Sequence, residues 1–254
     1  MTFGYKFGVV VPCANPTVEP EVHKLLPENA FPYIARLPFY PELDMKSRLK
    51  AYVGDLPSTL DTLKGVGIDG ALVACTGSSY PLGISGDTKW TDDASNYLGK
   101  PVVSSAGSIN KVLNLLGCKE IFLLSPYPSW LTAELKTFWT SAGYEIFGTT
   151  EIDKSGAIYD LTETDVTAAL NGLSSNGFGK RENQVLLIAG TGVPSLGPVE
   201  NLISSVDFPV ITSQIAGIWN LLTVTGNQEL IRNSKSQALK AVNKQILRKQ
   251  IDVK

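Results

Sequence analysis

The 254-residue chain has a single histidine, His23, and three cysteines, Cys13, Cys75 and Cys118. That scarcity removes whole classes of chemistry. A Ser-His-Asp triad would have to be built on His23 alone, in a helix-like segment whose exposed face suits it. The cysteines are odd in number and lack metal-ligand spacing, so no metal site is expected. No apolar run reaches 18 residues and Met1 to Lys6 lacks the shape of a signal peptide, so the expectation is a cytoplasmic protein without a membrane partner. Charge is balanced, with 22 basic against 24 acidic residues, and no basic run is interleaved with aromatics, which gives no reason to expect nucleic acid. The one lysine-rich stretch, Lys235 to Lys254, reads as a solvated helix.

Nucleotide signatures fail as well. Gly65 to Gly70 fits G-x-G-x-x-G, but it precedes a strand where a dinucleotide fingerprint must follow one, so it reads as a helix-to-strand turn. Gly190-Thr191-Gly192 follows a strand yet lacks a third glycine and runs into Pro194, and there is no Walker lysine.

What the chain does have is a strand-to-loop junction with chemistry on it. Ala71 to Gly83 reads A-L-V-A-C-T-G-S-S-Y-P-L-G, an apolar run that breaks at Cys75 into hydroxylated and glycine residues. Strand carboxyl ends are where open α/β sheets bind ligands. Upstream, Phe7 to Val11 is a strand ending in P-C-A-N-P-T, followed by a helix over Val18 to Leu26, a strand over Phe31 to Leu37 and a helix over Met45 to Lys64. Helices over Thr88 to Leu98 and Ile109 to Leu116 flank P-V-V at 101 to 103.

The order then restarts. Ile121 to Leu124, S-P-Y-P-S and a helix over Leu131 to Ser141 repeat the first unit, with Val11-Pro12 matching Ser125-Pro126. A strand over Tyr144 to Phe147, a helix over Glu163 to Leu173, and Gln184 to Ala189 followed by G-T-G-V-P-S-L match the next. Pro209 to Ser213 matches Pro101 to Ser105, and the three landmarks recur at offsets of 114, 115 and 108 residues. The reading is a duplicated α/β half-domain, one half spanning 1–105 plus 213–254 and the other 106–212. The fold class is α/β, with two flavodoxin-like halves holding parallel sheets, related by a pseudo-twofold axis and facing one cleft. Cys75 and Gly190 then occupy equivalent positions on opposite faces of a ligand. Trp130, Trp139 and Trp219 are expected in the core, and Cys118 is expected to be structural.

These pieces together resemble the cofactor-independent aspartate/glutamate racemase superfamily, in the branch of maleate cis-trans isomerase and arylmalonate decarboxylase. The resemblance runs from G-V-V-V-P-C-A-N at 8–15, through C-T-G-S-S-Y, S-P-Y at 125–127 and A-G-T-G at 189–192, to F-P-V-I-T-S and A-G-I-W-N at 216–220. It implies a small carboxylate substrate and no cofactor. Members usually carry a cysteine at each position matching Cys75 and Gly190, whereas the decarboxylase has glycine at the first and cysteine at the second. This chain has the reverse. A second asparagine used by the isomerases falls near Ser155, which disfavours that activity.

Racemisation needs an acid-base group on each face, and Gly190 supplies none. Decarboxylation of a substituted malonate needs donors for the enediolate left after CO2 departs, and one acid. The candidates are Thr76, Gly77, Tyr127, Thr191 and Gly192 as donors, with Cys75 as the acid, since a thiol with a pKa of roughly 8.5 is protonated at neutral pH. Gly190 is expected to leave room for a bulky substituent, Asn15 to bind a carboxylate, and Cys13 to line the pocket. The alternatives are maleate-type isomerisation with Cys75 as nucleophile, and a non-catalytic protein that binds a small carboxylate. Apolar helices outside the cleft are compatible with a homo-oligomer.

Overall fold

The computed structural model describes residues 4–152, 157–175 and 181–252. In chain order the first repeat of elements runs β1 (Tyr5–Val11), α1 (Val18–Leu25), β2 (Ala30–Arg36), α2 (Met45–Asp61), β3 (Gly70–Val73), α3 (Thr76–Ser79), α4 (Gly83–Leu98), β4 (Val102–Ser104) and α5 (Ser105–Leu116). The second runs β5 (Glu120–Ser125), α6 (Ser129–Ser141), β6 (Glu145–Glu151), α7 (Glu163–Asn171), β7 (Gln184–Ile188), α8 (Leu196–Leu202), β8 (Val210–Thr212) and α9 (Ser213–Val224). Two further helices, α10 (Glu229–Asn233) and α11 (Gln237–Asp252), follow.

Among the described residues the strands form two four-stranded sheets, ordered β2-β1-β3-β4 and β6-β5-β7-β8, with every pairing parallel. Parallel sheets are covered on both faces, so their inner strands read as unbroken apolar runs. Strands β3, β5 and β7 are buried at every position.

The duplication extends to single hydrogen bonds. Ala74 donates its N–H to the Val10 carbonyl at 2.8 Å, and Ala189 donates to Leu124 at 2.9 Å. Leu37 donates to Val11 as Ile152 does to Ser125, and Ala71 to Pro101 as Leu186 does to Pro209. The last helix of each unit starts on a hydroxyl cap. Ser104 accepts from the Gly107 N–H and Thr212 from the Ile215 N–H, each satisfying a donor the first helical turn leaves open. Helices α5 and α9 pack against each other, joined by Asn220 Nδ2 donating to Ser108 Oγ at 3.0 Å.

Three local expectations are corrected. The stretch after Cys75 is helical, first as α3 and then as a 3-10 turn over Tyr80–Leu82, where a loop was expected. Helix α4 starts at Gly83 rather than Thr88, and α5 at Ser105 rather than Ile109. Trp130 is 37% exposed with Lys46 Nζ 5.7 Å from its ring centroid, while Trp139 and Trp219 are buried. No described helix is long and apolar enough to cross a membrane.

Candidate active site

Cys75 follows β3 at the point where the chain turns into α3. It is 3% exposed, and its Sγ lies 3.2 Å from Ser78 Oγ. Ser78 commits its hydroxyl hydrogen to the Leu49 carbonyl at 2.9 Å, so in the thiol state it is Cys75 that donates to Ser78. Burial pushes the Cys75 thiol up. The Ser78 hydroxyl and N–H, the charge of Arg48 and the Gly77 N–H pull the other way without overcoming it. The sulfur is therefore held as a neutral thiol at ordinary pH.

Around it the loops of both halves converge. Thr76 Oγ1 and the Tyr127 hydroxyl are 2.8 Å apart, and Tyr80 OH lies 3.4 Å from Tyr127 OH. Burial and the neighbouring Tyr80 raise Tyr127 well above the ordinary tyrosine range, so it stays a hydroxyl donor. From the other half, Thr191 Oγ1 donates to the Ala74 carbonyl at 3.0 Å, directly beside Cys75. Gln214 Nε2 holds the Thr191 carbonyl at 2.9 Å, and Thr17 Oγ1 holds that of Gly192 at 2.9 Å. The strand-end loops are thus tied to each other by Thr191 and held by side chains from two other segments, Thr17 and Gln214.

A cavity of about 330 Å³ opens over these groups. Its wall takes Cys75, Thr76 and Gly77 from the first half and Tyr127, Thr191 and Gly192 from the second. Three other expected residues, Asn15, Cys13 and Gly190, are not part of that wall. Asn15 is 1% exposed, and its Oδ1 accepts from the Thr17 and Val18 N–H groups while its Nδ2 donates to Thr191 Oγ1 at 3.3 Å. Its side chain tethers the start of α1 to the Thr191 loop. Cys13 lies one layer back, its Sγ 3.6 Å from Tyr52 OH. Ser155 lies outside the described residues.

Gly190 does not leave the expected space. Its φ is +89°, and a Cβ there would come within 2.9 Å of Pro126 Cγ and 3.2 Å of both Ile158 Cδ1 and Tyr127 OH. At Gly192 a Cβ would meet the Tyr159 ring at 2.7 Å. The 3-10 turn over Ile158–Asp160 walls this side and α2 walls another, so the open volume lies between them.

The α2 wall was missed by sequence reasoning. Met45, Arg48, Leu49 and Tyr52 all line the cavity. The helix was read for its apolar spacing alone, whereas Arg48 and Tyr52, four residues apart, share one face. Tyr159 and its neighbours were missed because the segment that carries them has no periodic signal.

The sequence model of the arylmalonate decarboxylase family matches residues 7–238. The chain belongs to that family. Among its relatives, maleate isomerase of Pseudomonas putida is 24% identical over 87% of this chain and 92% of its own length. Maleate isomerase of Geobacillus stearothermophilus is 22% identical over 91% of this chain and 96% of its own. Solved structures share the fold. Maleate isomerase from Pseudomonas putida S16 with maleate superposes at a TM-score of 0.74, with 20% identity over 86% of this chain and 91% of that one. Arylmalonate decarboxylase superposes at 0.69, with 16% identity over 87% and 92%. Family membership supports an enzyme, and the proteins the chain resembles include both decarboxylases and isomerases. Among the described residues no cluster of His, Cys, Asp and Glu could hold a metal ion.

Proposed function

We propose that this protein decarboxylates a substituted malonate and that Cys75 delivers the proton. The observation carrying the proposal is the neutral, buried thiol of Cys75 beside the Thr76–Tyr127 hydroxyl pair, with a glycine, Gly190, at the corresponding strand end of the second repeat. The retained carboxylate would sit against Thr76, the Gly77 backbone and Tyr127, with Thr191 and Gly192 closing the second half's side. Loss of CO2 moves the C–C bonding pair into an enediolate, whose charge these prepositioned donors stabilise without reorganising. The Cys75 S–H then protonates the α-carbon, and the resulting thiolate regains its proton from water. The test is release of CO2 from methyl(phenyl)malonate by the purified protein without added metal. Release that is lost in Cys75→Ala supports the reading, and full activity in that variant removes Cys75 from the chemistry.

A second reading is cis-trans isomerisation of a maleate-like diacid, with Cys75 thiolate adding to the double bond, allowing rotation and leaving. What favours it is the set of maleate isomerase relatives, together with the Ser78 and Gly77 N–H groups and the Arg48 charge acting on the sulfur. Maleate converted to fumarate, with malonates untouched, would select it.

A further inference from the structure

Away from the cleft, α4, β4, α5 and α9 border a second cavity, of about 380 Å³. Helix α4 turns Asp87, Thr88, Thr91 and Asp92 to it, and Ser104, Gly107, Ser108 and Lys111 line it from the end of β4 and from α5, at spacings that share one helix face. Val102, Val103 and Val224 supply apolar lining. Two buried acceptors of this wall are left without donors. Asp87 is 1% exposed and Asn220 5%, and the Oδ1 of each has no hydrogen-bond partner. Their other polar atoms are committed, since Asp87 Oδ2 accepts from Ser104 Oγ at 2.6 Å and Asn220 Nδ2 donates to Ser108 Oγ at 3.0 Å. The Ser79 hydroxyl acts on the Asp87 carboxyl only from beyond hydrogen-bonding distance. Leaving such acceptors unpaired is costly. Lys111 is half-buried, and among the described residues no hydrogen bond or ion pair engages its ammonium.

Gly107 sets the spacing of the two charges. A Cβ there would stand 2.7 Å from Asp87 Oδ2, so the carboxylate lies against α5 at residue 107. Lys111 follows one turn later, about 6 Å along the helix axis. Unpaired acceptors call for N–H donors, and the ammonium of Lys111 calls for an anion. A single small zwitterion supplies both. We propose that this cavity is a second binding site, separate from the Cys75 cleft, for an apolar α-amino acid, whose carboxylate meets Lys111, whose ammonium meets Asp87 and Asn220, and whose side chain packs on Val102, Val103 and Val224. Burial pushes the Asp87 carboxyl up and the Lys111 ammonium down, and each ligand charge offsets that cost by pairing with the group. A dicarboxylate is disfavoured, because Asp87 and Asp92 would repel its second charge. The inference does not rest on the reaction assigned to Cys75.

Calorimetric titration of L-valine tests the assignment, with 3-methylbutanoate and 2-methylpropylamine as its amine-free and carboxylate-free counterparts. The wild type should bind valine at least about tenfold more tightly than either, the size of one charged hydrogen-bonded contact. Lys111→Met should bring valine down to the level of 2-methylpropylamine and leave that amine unchanged. Asp87→Asn should narrow the preference for valine over 3-methylbutanoate. Amide NMR signals of Val103, Gly107 and Lys111 should move on titration, while those of Gly77 and Thr191 stay in place. A wild type that does not bind valine, or binds all three compounds alike, overturns the proposal. So does an unchanged valine affinity in Lys111→Met, or signal shifts confined to the cleft. Thermal unfolding of each variant without ligand checks the fold, and Lys111→Met carries the test if Asp87→Asn does not fold.

Discussion

Cys75 and Gly190 are the same position in two copies of one unit. Each follows an alanine whose N–H is bound to the neighbouring strand, Ala74 to Val10 and Ala189 to Leu124. The duplicated backbone presents two equivalent faces, and the side chains then make them chemically unequal. One face carries a thiol, while the other carries a glycine at φ +89° backed by Pro126 and Ile158.

Restoring a second cysteine should therefore fail. Gly190→Cys places an L side chain in a left-handed conformation with a Cβ 2.9 Å from Pro126 Cγ, a strain of roughly 1–3 kcal/mol. Urea unfolding should show an unfolding free energy lower by that amount, and no racemase activity should appear.

Tyr127→Phe removes the hydroxyl that stands 2.8 Å from Thr76 Oγ1. Loss of one oxyanion donor costs about 100-fold in kcat, while stability should fall by only about 1 kcal/mol. Steady-state kinetics alongside chemical unfolding separates the two effects. A loss of stability without loss of kcat would mean that the tyrosine is only a packing residue.

The rate should also report the protonation state of Cys75. Burial raises this thiol above its ordinary value, so an acid role is fully available at neutral pH and fades as pH rises through the elevated value. A nucleophilic thiolate would give the opposite slope, with activity rising over the same range. The log(kcat/KM) profile between pH 6 and about 10.5 discriminates them.

Glu21 provides a stability prediction away from the chemistry. Its Oε1 accepts the Ser195 and Leu196 N–H groups at 2.7 Å, yet burial pushes the carboxyl up from 4.5 to about 7. In the unfolded chain it ionises near 4.5. The stability it contributes is therefore complete below pH 4.5 and is lost as pH rises through 7, by roughly 3 kcal/mol in all. Urea unfolding from pH 4.5 to 8 should show this decline in the wild type and a flatter profile in Glu21→Gln.

The repeat was legible because strand-end landmarks such as Val11-Pro12 and Ser125-Pro126 are local and recur in order. The helical path of α3 was not, since Thr, Gly and Ser are weak helix formers and the turn forms under tertiary constraint. That constraint is visible at Gly77, where a Cβ would stand 3.0 Å from the Leu49 methyls of α2. The six wall residues at the strand ends, Cys75, Thr76, Gly77, Tyr127, Thr191 and Gly192, could be named because chain topology directs strand ends to one place. Arg48 and Tyr159 come from segments whose placement over the cleft depends on long-range packing, which no local pattern encodes. Asn15 fits the isomerase pattern of the family and was expected to bind a carboxylate, whereas its Oδ1 accepts from the backbone N–H groups of Thr17 and Val18 at the start of α1.

The central claim is that Cys75 protonates an enediolate from the first half's side. Proton NMR in D2O of the product formed from a prochiral methyl(aryl)malonate tests it most directly, with chiral analysis of the same sample. The account predicts one deuterium at the α-carbon of a single enantiomer, of the handedness opposite to that set by a cysteine at position 190, and its loss in Cys75→Ala. A racemic product, or a single enantiomer formed equally well by Cys75→Ala, would contradict it.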